Sequence, residues 1–185
     1  MQPNHSHAWN PSEVTIENRI TGQKYRLLPA NKLPALEGQE ENIAAICNQT
    51  AIYNFLFRDR LGGHPYQPKD AQSFLSWAES GWKEQKYFVF FLVDQQGLVA
   101  GALDIKSADR SKAEVGYWCS EHHRGLMSNA VNAMIELARS AGYKSLWARI
   151  VKDNAASRKV LERSGFTLTG DWSEDPSREH FERTL

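Results

Sequence analysis

A chain of 185 residues, 41% of them hydrophobic, is long enough to bury the core of one compact domain. Lys+Arg and Asp+Glu each total 22, and no basic run is long enough to follow a phosphate backbone, so direct nucleic-acid binding is set aside. Cys47 and Cys119 are too few for a disulfide framework, no signal-peptide pattern opens the chain, and the longest apolar run, residues 87–93, is too short to span a bilayer. These features predict a cytoplasmic protein without a membrane segment, either a monomer or a homodimer.

Residues 1–12 read as a flexible leader to a single domain spanning residues 1–185. His5 and His7 lie in that leader with no carboxylate or cysteine nearby, and no metal is expected there. Residues 14–20 and 24–28 alternate as a strand pair, with Thr21 and Gly22 as the turn. Apolar residues then recur at helical spacing over residues 36–47 and 51–57, before a loop at residues 61–68 that holds two glycines and two prolines. Asp70 is placed to cap the next helix, in which Ala71, Phe74, Leu75 and Ala78 share a face and which ends near Gly81. Trp77 and Trp82, in that helix and at its end, are expected in the core.

Residues 87–93 are apolar at every position, the pattern of a central strand covered on both faces. Residues 98–105 and 112–118 follow as its antiparallel neighbours. Over residues 126–138, Met127, Ala130, Val131, Met134, Leu137 and Ala138 form one helical stripe. Ser128, Asn129, Asn132, Glu136 and Arg139 face away, and Gly142 ends the helix. Residues 146–152 are then a strand parallel to the one before the helix. A short helix at residues 154–164, closed by Gly165, and a hairpin of residues 166–172 and 178–185 complete the chain.

The sequence HHRGLMSNAV, residues 122–131, sets basic residues and a glycine at a helix start. The unpaired N–H groups of a helix N-terminus carry partial positive charge, so such a junction can cradle phosphate oxygens, although any tight strand-to-helix turn also favours one glycine. The downstream context points further. GYW at Gly116 to Trp118, HHRG at His122 to Gly125, NAAS at Asn154 to Ser157 and GF at Gly165 and Phe166 occur in the order and spacing that resembles the GNAT superfamily of acetyl-CoA-dependent N-acetyltransferases, in particular its ribosomal-protein N-terminal (RimJ/RimL-type) branch. His122 stands where that family usually has Gln or Arg, and Met127 where it has a last Gly or Ala.

The resemblance implies a mixed α+β fold, with a mostly antiparallel central sheet splayed into a V and helices on both faces. It places acetyl-CoA, the acyl donor, in the split. Pantetheine would pair with backbone around Tyr117, Trp118 and Cys119, pyrophosphate would sit on the turn from His122, His123 and Arg124 through Gly125, Leu126 and Met127 to Ser128, and Asn154 would reach the pantetheine arm. Asn154 also suits a helix cap, and the two uses are compatible. The charge of a histidine depends on pH, so pyrophosphate binding at His122 is expected to weaken at high pH.

Amine acylation needs a neutral amine, a donor for the oxyanion and a proton for the leaving thiolate. Ser157 is the candidate proton donor, against the alternative that it bonds its own helix backbone. Glu114 and Glu174 are the candidate bases; the resemblance favours Glu174, because Rim-type enzymes carry a carboxylate in the final hairpin. Trp172 could border the acceptor site. Cys119 is not taken as a nucleophile, since direct transfer needs no acyl-cysteine.

The implied acceptor is a protein or peptide α-amino group, with a small amine such as an amino-acid derivative, antibiotic or polyamine as the alternative. A binder that kept the cofactor cleft and lost catalysis is the competing class. A dinucleotide fold is set aside, because no G-x-G-x-x-G turn occurs.

Overall fold

Strand formation follows the apolar runs closely. In a computed structural model, which describes residues 8–185, the strands are β1 (Val14–Glu17), β2 (Lys24–Pro29), β3 (Phe88–Val93), β4 (Val99–Ile105), β5 (Ala113–Cys119), β6 (Ser145–Val151), β7 (Thr167–Trp172) and β8 (Asp175–Thr184). They form one sheet in the order β1-β2-β3-β4-β5-β6-β8-β7, antiparallel except where β5 meets β6. Every residue of β3 is buried, as a strand covered on both faces requires.

Among the described residues five α-helices flank the sheet: α1 (Gln39–Cys47), α2 (Thr50–Ile52, continuing as a π-helical turn over Tyr53–Phe57), α3 (Pro68–Glu84), α4 (Met127–Ser140) and α5 (Ala155–Arg163). Phe74 of α3 packs on Phe91 and Trp118, whereas Tyr117, of opposite strand parity, reaches α5. The helices therefore lie on both faces, as the α+β reading expects. No helix among the described residues is long and apolar enough to cross a membrane.

Several local expectations are corrected. Strand β1 stops at Glu17, because buried Asn18 turns the chain: its Oδ1 accepts the amides of Ile20 (2.9 Å) and Thr21 (3.2 Å). Asp70 is not the cap residue of α3 but sits three positions inside, where its Oδ2 accepts the Gln67 amide at 2.8 Å. Helix α3 runs past Gly81 to Glu84, and Gly81 serves close approach instead, since a Cβ there would lie 2.3 Å from the Tyr87 ring.

In α4 the buried stripe includes Ile135, and Ser128 is buried rather than outward. Strand β8 begins at Asp175, earlier than expected. Trp82 is in the core, but Trp77 is 43% exposed, stacked on Tyr87 with centroids 4.3 Å apart. Trp9, inside the stretch read as leader, packs against Trp82, Phe88, Phe90 and Tyr143. His5 and His7 lie outside the described residues.

Candidate functional site

Strands β5 and β6 pair at only two positions, Ala113 with Leu146 and Glu114 with Trp147. Beyond them β5 stays with β4 and β6 with β8, so the facing edges of Gly116–Cys119 and Ala148–Val151 separate without a shared ladder. A cleft of about 540 Å³ opens in the split, lined by Tyr117, Trp118, Cys119, Met127, Asn154 and Ser157 among others. The unpaired strand edges offer backbone N–H and C=O groups to an extended ligand.

Below the cleft the 122–128 turn is built by residues distant in sequence. Asn18 Nδ2 donates to the Arg124 carbonyl at 2.9 Å, and the Arg19 amide donates to the Gly125 carbonyl at 3.2 Å. Gly125 has φ +95°, and an added Cβ would lie 2.7 Å from Asn18 Oδ1 and from Ile20. Gln49 fixes the approach, accepting the Glu121 amide at 2.8 Å and donating to Ser120 Oγ at 3.1 Å.

His123 does not face outward. Its Nδ1 lies 2.7 Å from the Tyr25 hydroxyl, and burial holds its pKa below the usual histidine range. Leu126 and Ser128 are buried, so they present only backbone here; His122 and Arg124 are exposed. The first amides of α4, at Met127, Ser128 and Asn129, have no intrahelical partners by the geometry of a helix start.

Asn154 caps α5, its Oδ1 accepting the Ser157 amide at 3.0 Å, and it lines the cleft at the same time. Ser157 Oγ does not turn back onto its helix. It lies 2.8 Å from the Tyr117 hydroxyl, which also donates to the Ser157 carbonyl at 3.1 Å. Burial drives the Tyr117 phenol pKa well above its ordinary value. Tyr117 thus brings a side chain where sequence reasoning saw only backbone; a tyrosine at a strand end gives no sign of which helix it will meet.

Glu114 lines the cleft but is held by two cations, Lys106 Nζ at 2.7 Å and Arg149 Nε at 3.2 Å. Glu174 is exposed in the β7–β8 turn and lines neither this cleft nor the one described next. Trp172 stacks on Trp147 with centroids 4.8 Å apart and likewise lines neither. Burial pushes the Cys119 thiol up to about 12 and its Sγ donates to the His123 carbonyl, which makes it a poor nucleophile. Among the described residues no group of three or more His, Cys, Asp or Glu could hold a metal ion.

A second cleft, of about 590 Å³, lies between α3, the π-helical turn and the sheet. It shares Leu56, Lys106, Gly116, Tyr117 and Trp118 with the first, so the two converge on the free end of β5. Its floor includes Asp104, which the sequence reading passed over. The available signal was a lone acidic residue in the otherwise apolar strand VAGALDI.

Residues 33–167 match the family described as acetyltransferase (GNAT) domain. The chain is 28% identical to the ribosomal-protein-serine acetyltransferase of Escherichia coli (strain K12) over 92 residues, 47% of this chain and 51% of that protein, and so spans about half of that relative's length. Its fold resembles a RimL ribosomal L7/L12 alpha-N-protein acetyltransferase in complex with coenzyme A, with TM-score 0.69 and 18% identity over 93% of this chain and 98% of the other. It also resembles the microcin C7 self-immunity acetyltransferase MccE in complex with acetyl-CoA and AMP, with TM-score 0.69 and 20% identity over 96% and 99%. With the family match covering most of the chain and the sheet split where that fold requires it, the protein belongs to the GNAT acetyltransferase family.

Proposed function

We propose that this protein transfers the acetyl group of acetyl-CoA to the primary amine of a protein or peptide N-terminus. The observation that carries the reading is the split between β5 and β6, with free backbone edges on both sides and a glycine-bearing helix start beyond it. The residues present fit the donor. The edges of Gly116–Cys119 suit the amide-rich pantetheine arm, the amides of Met127 and Ser128 with Arg124 suit a pyrophosphate, and Asn154 lines the path between them. Bound there, the thioester supplies the activated acyl carbon.

The chain's own residues then have two tasks. The hydroxyl pair of Tyr117 and Ser157 delivers a proton to the departing sulfur, and the backbone at the end of β5 supplies donors for the carbonyl oxygen. The α-amino acceptor is supported by the likeness to ribosomal-protein acetyltransferases and by a second cleft that meets the first at Gly116, Tyr117 and Trp118.

Calorimetric titration with acetyl-CoA, followed by thiol release in the presence of pooled N-terminal peptides and of small amines, tests the reading. Binding with release on the peptide pool supports it. Release only on small amines moves the acceptor class, binding without release on either pool favours a regulatory binder, and no binding at millimolar acetyl-CoA overturns it.

A further inference from the structure

The Asp104 carboxylate is the unexplained group of the second cleft. Its Oδ1 is buried without a hydrogen-bond partner, and no Lys or Arg nitrogen lies within ion-pair distance of it among the described residues. A buried carboxylate oxygen without a partner costs stability through its lost hydration, and such an atom calls for an explanation. Gly116 opposite makes room for it, since a Cβ at that position would lie 2.6 Å from Oδ1.

The charges around Asp104 leave it open to a cation. Lys106 follows on its own strand, but its ammonium is bound to Glu114, which also holds Arg149. Across the cleft stand Arg60, Tyr66 and Asp70. The walls are otherwise mainly apolar, with the aromatic rings of Phe74, Trp77 and Trp118 among aliphatic residues such as Leu56 and Leu61. A pocket with aromatic faces and a carboxylate that keeps one oxygen without a partner at its floor matches an organic ammonium with an apolar body, because the rings favour cations and the carboxylate supplies the charge-assisted bond.

We propose that Asp104 is the acceptor-side catalytic residue, receiving the ammonium group of the amine substrate in the aromatic cleft and taking one of its protons before acyl transfer. This rests on the acetyl-transfer reading above and assigns its amine subsite and base. The ammonium gives one proton to the Asp104 carboxylate, leaving a neutral amine and a carboxylic acid. The nitrogen lone pair then forms the N–C bond at the thioester carbon, and the C–S bond breaks with its electrons on sulfur. The second nitrogen proton reaches sulfur through Tyr117 and Ser157, and Asp104 returns its proton to solvent. Desolvation, aided by the Glu114 charge, raises the Asp104 pKa against the opposing influence of Lys106 and of the Gly116 and Asp104 backbone amides, which makes this carboxylate a stronger proton acceptor than an exposed aspartate.

The test compares phenethylamine with its uncharged counterpart 2-phenylethanol, titrated into the full chain in the presence of CoA. Wild type is expected to prefer the amine by about tenfold or more, the scale of one hydrogen bond to a charged group. Asp104→Asn and the smaller Asp104→Ser are expected to lose that preference while keeping their affinity for CoA and a melting temperature at or above that of wild type. Equal binding of amine and alcohol by wild type, no binding of either, or a preference that survives both substitutions overturns the proposal. Failure of wild type to bind CoA counts instead against the acetyl-transfer reading, and the amine-to-alcohol ratio still decides the subsite.

Discussion

Tyr117 and Ser157, forty residues apart and on different elements, place their hydroxyl oxygens 2.8 Å from each other at the wall of the cleft. Burial raises the Tyr117 pKa above its ordinary value of 10, so the phenol is protonated throughout the neutral range and has a proton to give a departing thiolate. Tyr117→Phe is expected to lower kcat by about a hundredfold, the usual scale of one general acid, with a much smaller change in KM for acetyl-CoA. Ser157→Ala should cost less. On the proposed relay through both hydroxyls, the double variant is expected to be little worse than Tyr117→Phe alone, measured as thiol release. Fully multiplicative losses would show that they act independently.

Gly125 and Asn18 form the second tested pair. Gly125→Ala meets both a left-handed backbone and the Asn18 side chain, so the turn must move. Asn18→Ala removes one donor and one acceptor from a buried site and leaves the Arg124 carbonyl and the Ile20 and Thr21 amides without them, at a cost of about 1–3 kcal/mol. Both variants are expected to weaken acetyl-CoA binding by about tenfold, in line with loss of an oriented hydrogen bond or two. Calorimetry on Asn18→Ala is the sharper check, since Asn18 lines neither cleft.

Glu114 separates a structural carboxylate from a catalytic one. Glu114→Gln leaves Lys106 and Arg149 without their shared partner, so a lower melting temperature is expected. Its pH-rate profile should keep the wild-type shape, because the base assigned above lies on β4. A lost acidic limb in Glu114→Gln, with Asp104→Asn unaffected, would return the role of base to Glu114. Glu174→Gln, which lines neither cleft, should be silent in both measurements.

Trp9 tests how the N-terminal segment is held. Its ring touches four aromatic side chains, and Gln85 clasps its backbone through an acceptor to the amide at 2.7 Å and a donor to the carbonyl at 3.2 Å. Trp9→Ala is expected to cost about 2 kcal/mol, less than a fully buried aromatic. For a chain of this size that corresponds to a fall in melting temperature of roughly 4–8 °C, readable by differential scanning calorimetry. A leader without structural role would give no change.

Legibility in the sequence tracked periodicity. Strand β3 and the stripe of α4 were readable because their patterns reflect burial directly, and the parallel pairing of β5 with β6 followed from the crossover rule. The glycine turn, the start of α4 and the capping Asn154 were readable for a different reason: they act through backbone and local bonds, which adjoin in sequence. What stayed hidden depends on contacts between distant elements. Asn18 looks like a hairpin-turn residue until it meets Arg124, Tyr117 looks like strand until it meets Ser157, and Asp104 has meaning only once its strand is seen to floor a cleft.

The Tyr25–His123 contact predicts a pH dependence of stability. Burial is the main cause that lowers the His123 pKa, with His122 acting in the same sense and Asp94 opposing. The folded value thus lies below the ordinary value of 6.5, and between the two only the unfolded chain takes up the proton. Stability is therefore full above 6.5 and declines as pH falls from there through the folded value. The Tyr25 hydroxyl, whose own pKa is raised by burial, keeps its proton, donates to Gln23 Oε1 at 3.1 Å and packs 2.7 Å from Nδ1. His180 is shifted in the same direction, also chiefly by burial, and adds to the slope, whereas the raised pKa of Asp104 opposes it from 3.8 upward. The informative quantity is the difference between wild type and His123→Gln in melting temperature from about pH 5 to 8, the range in which histidines titrate. A shallower slope is expected in the variant; identical slopes would mean that His123 is protonated as readily in the folded chain as in the unfolded one.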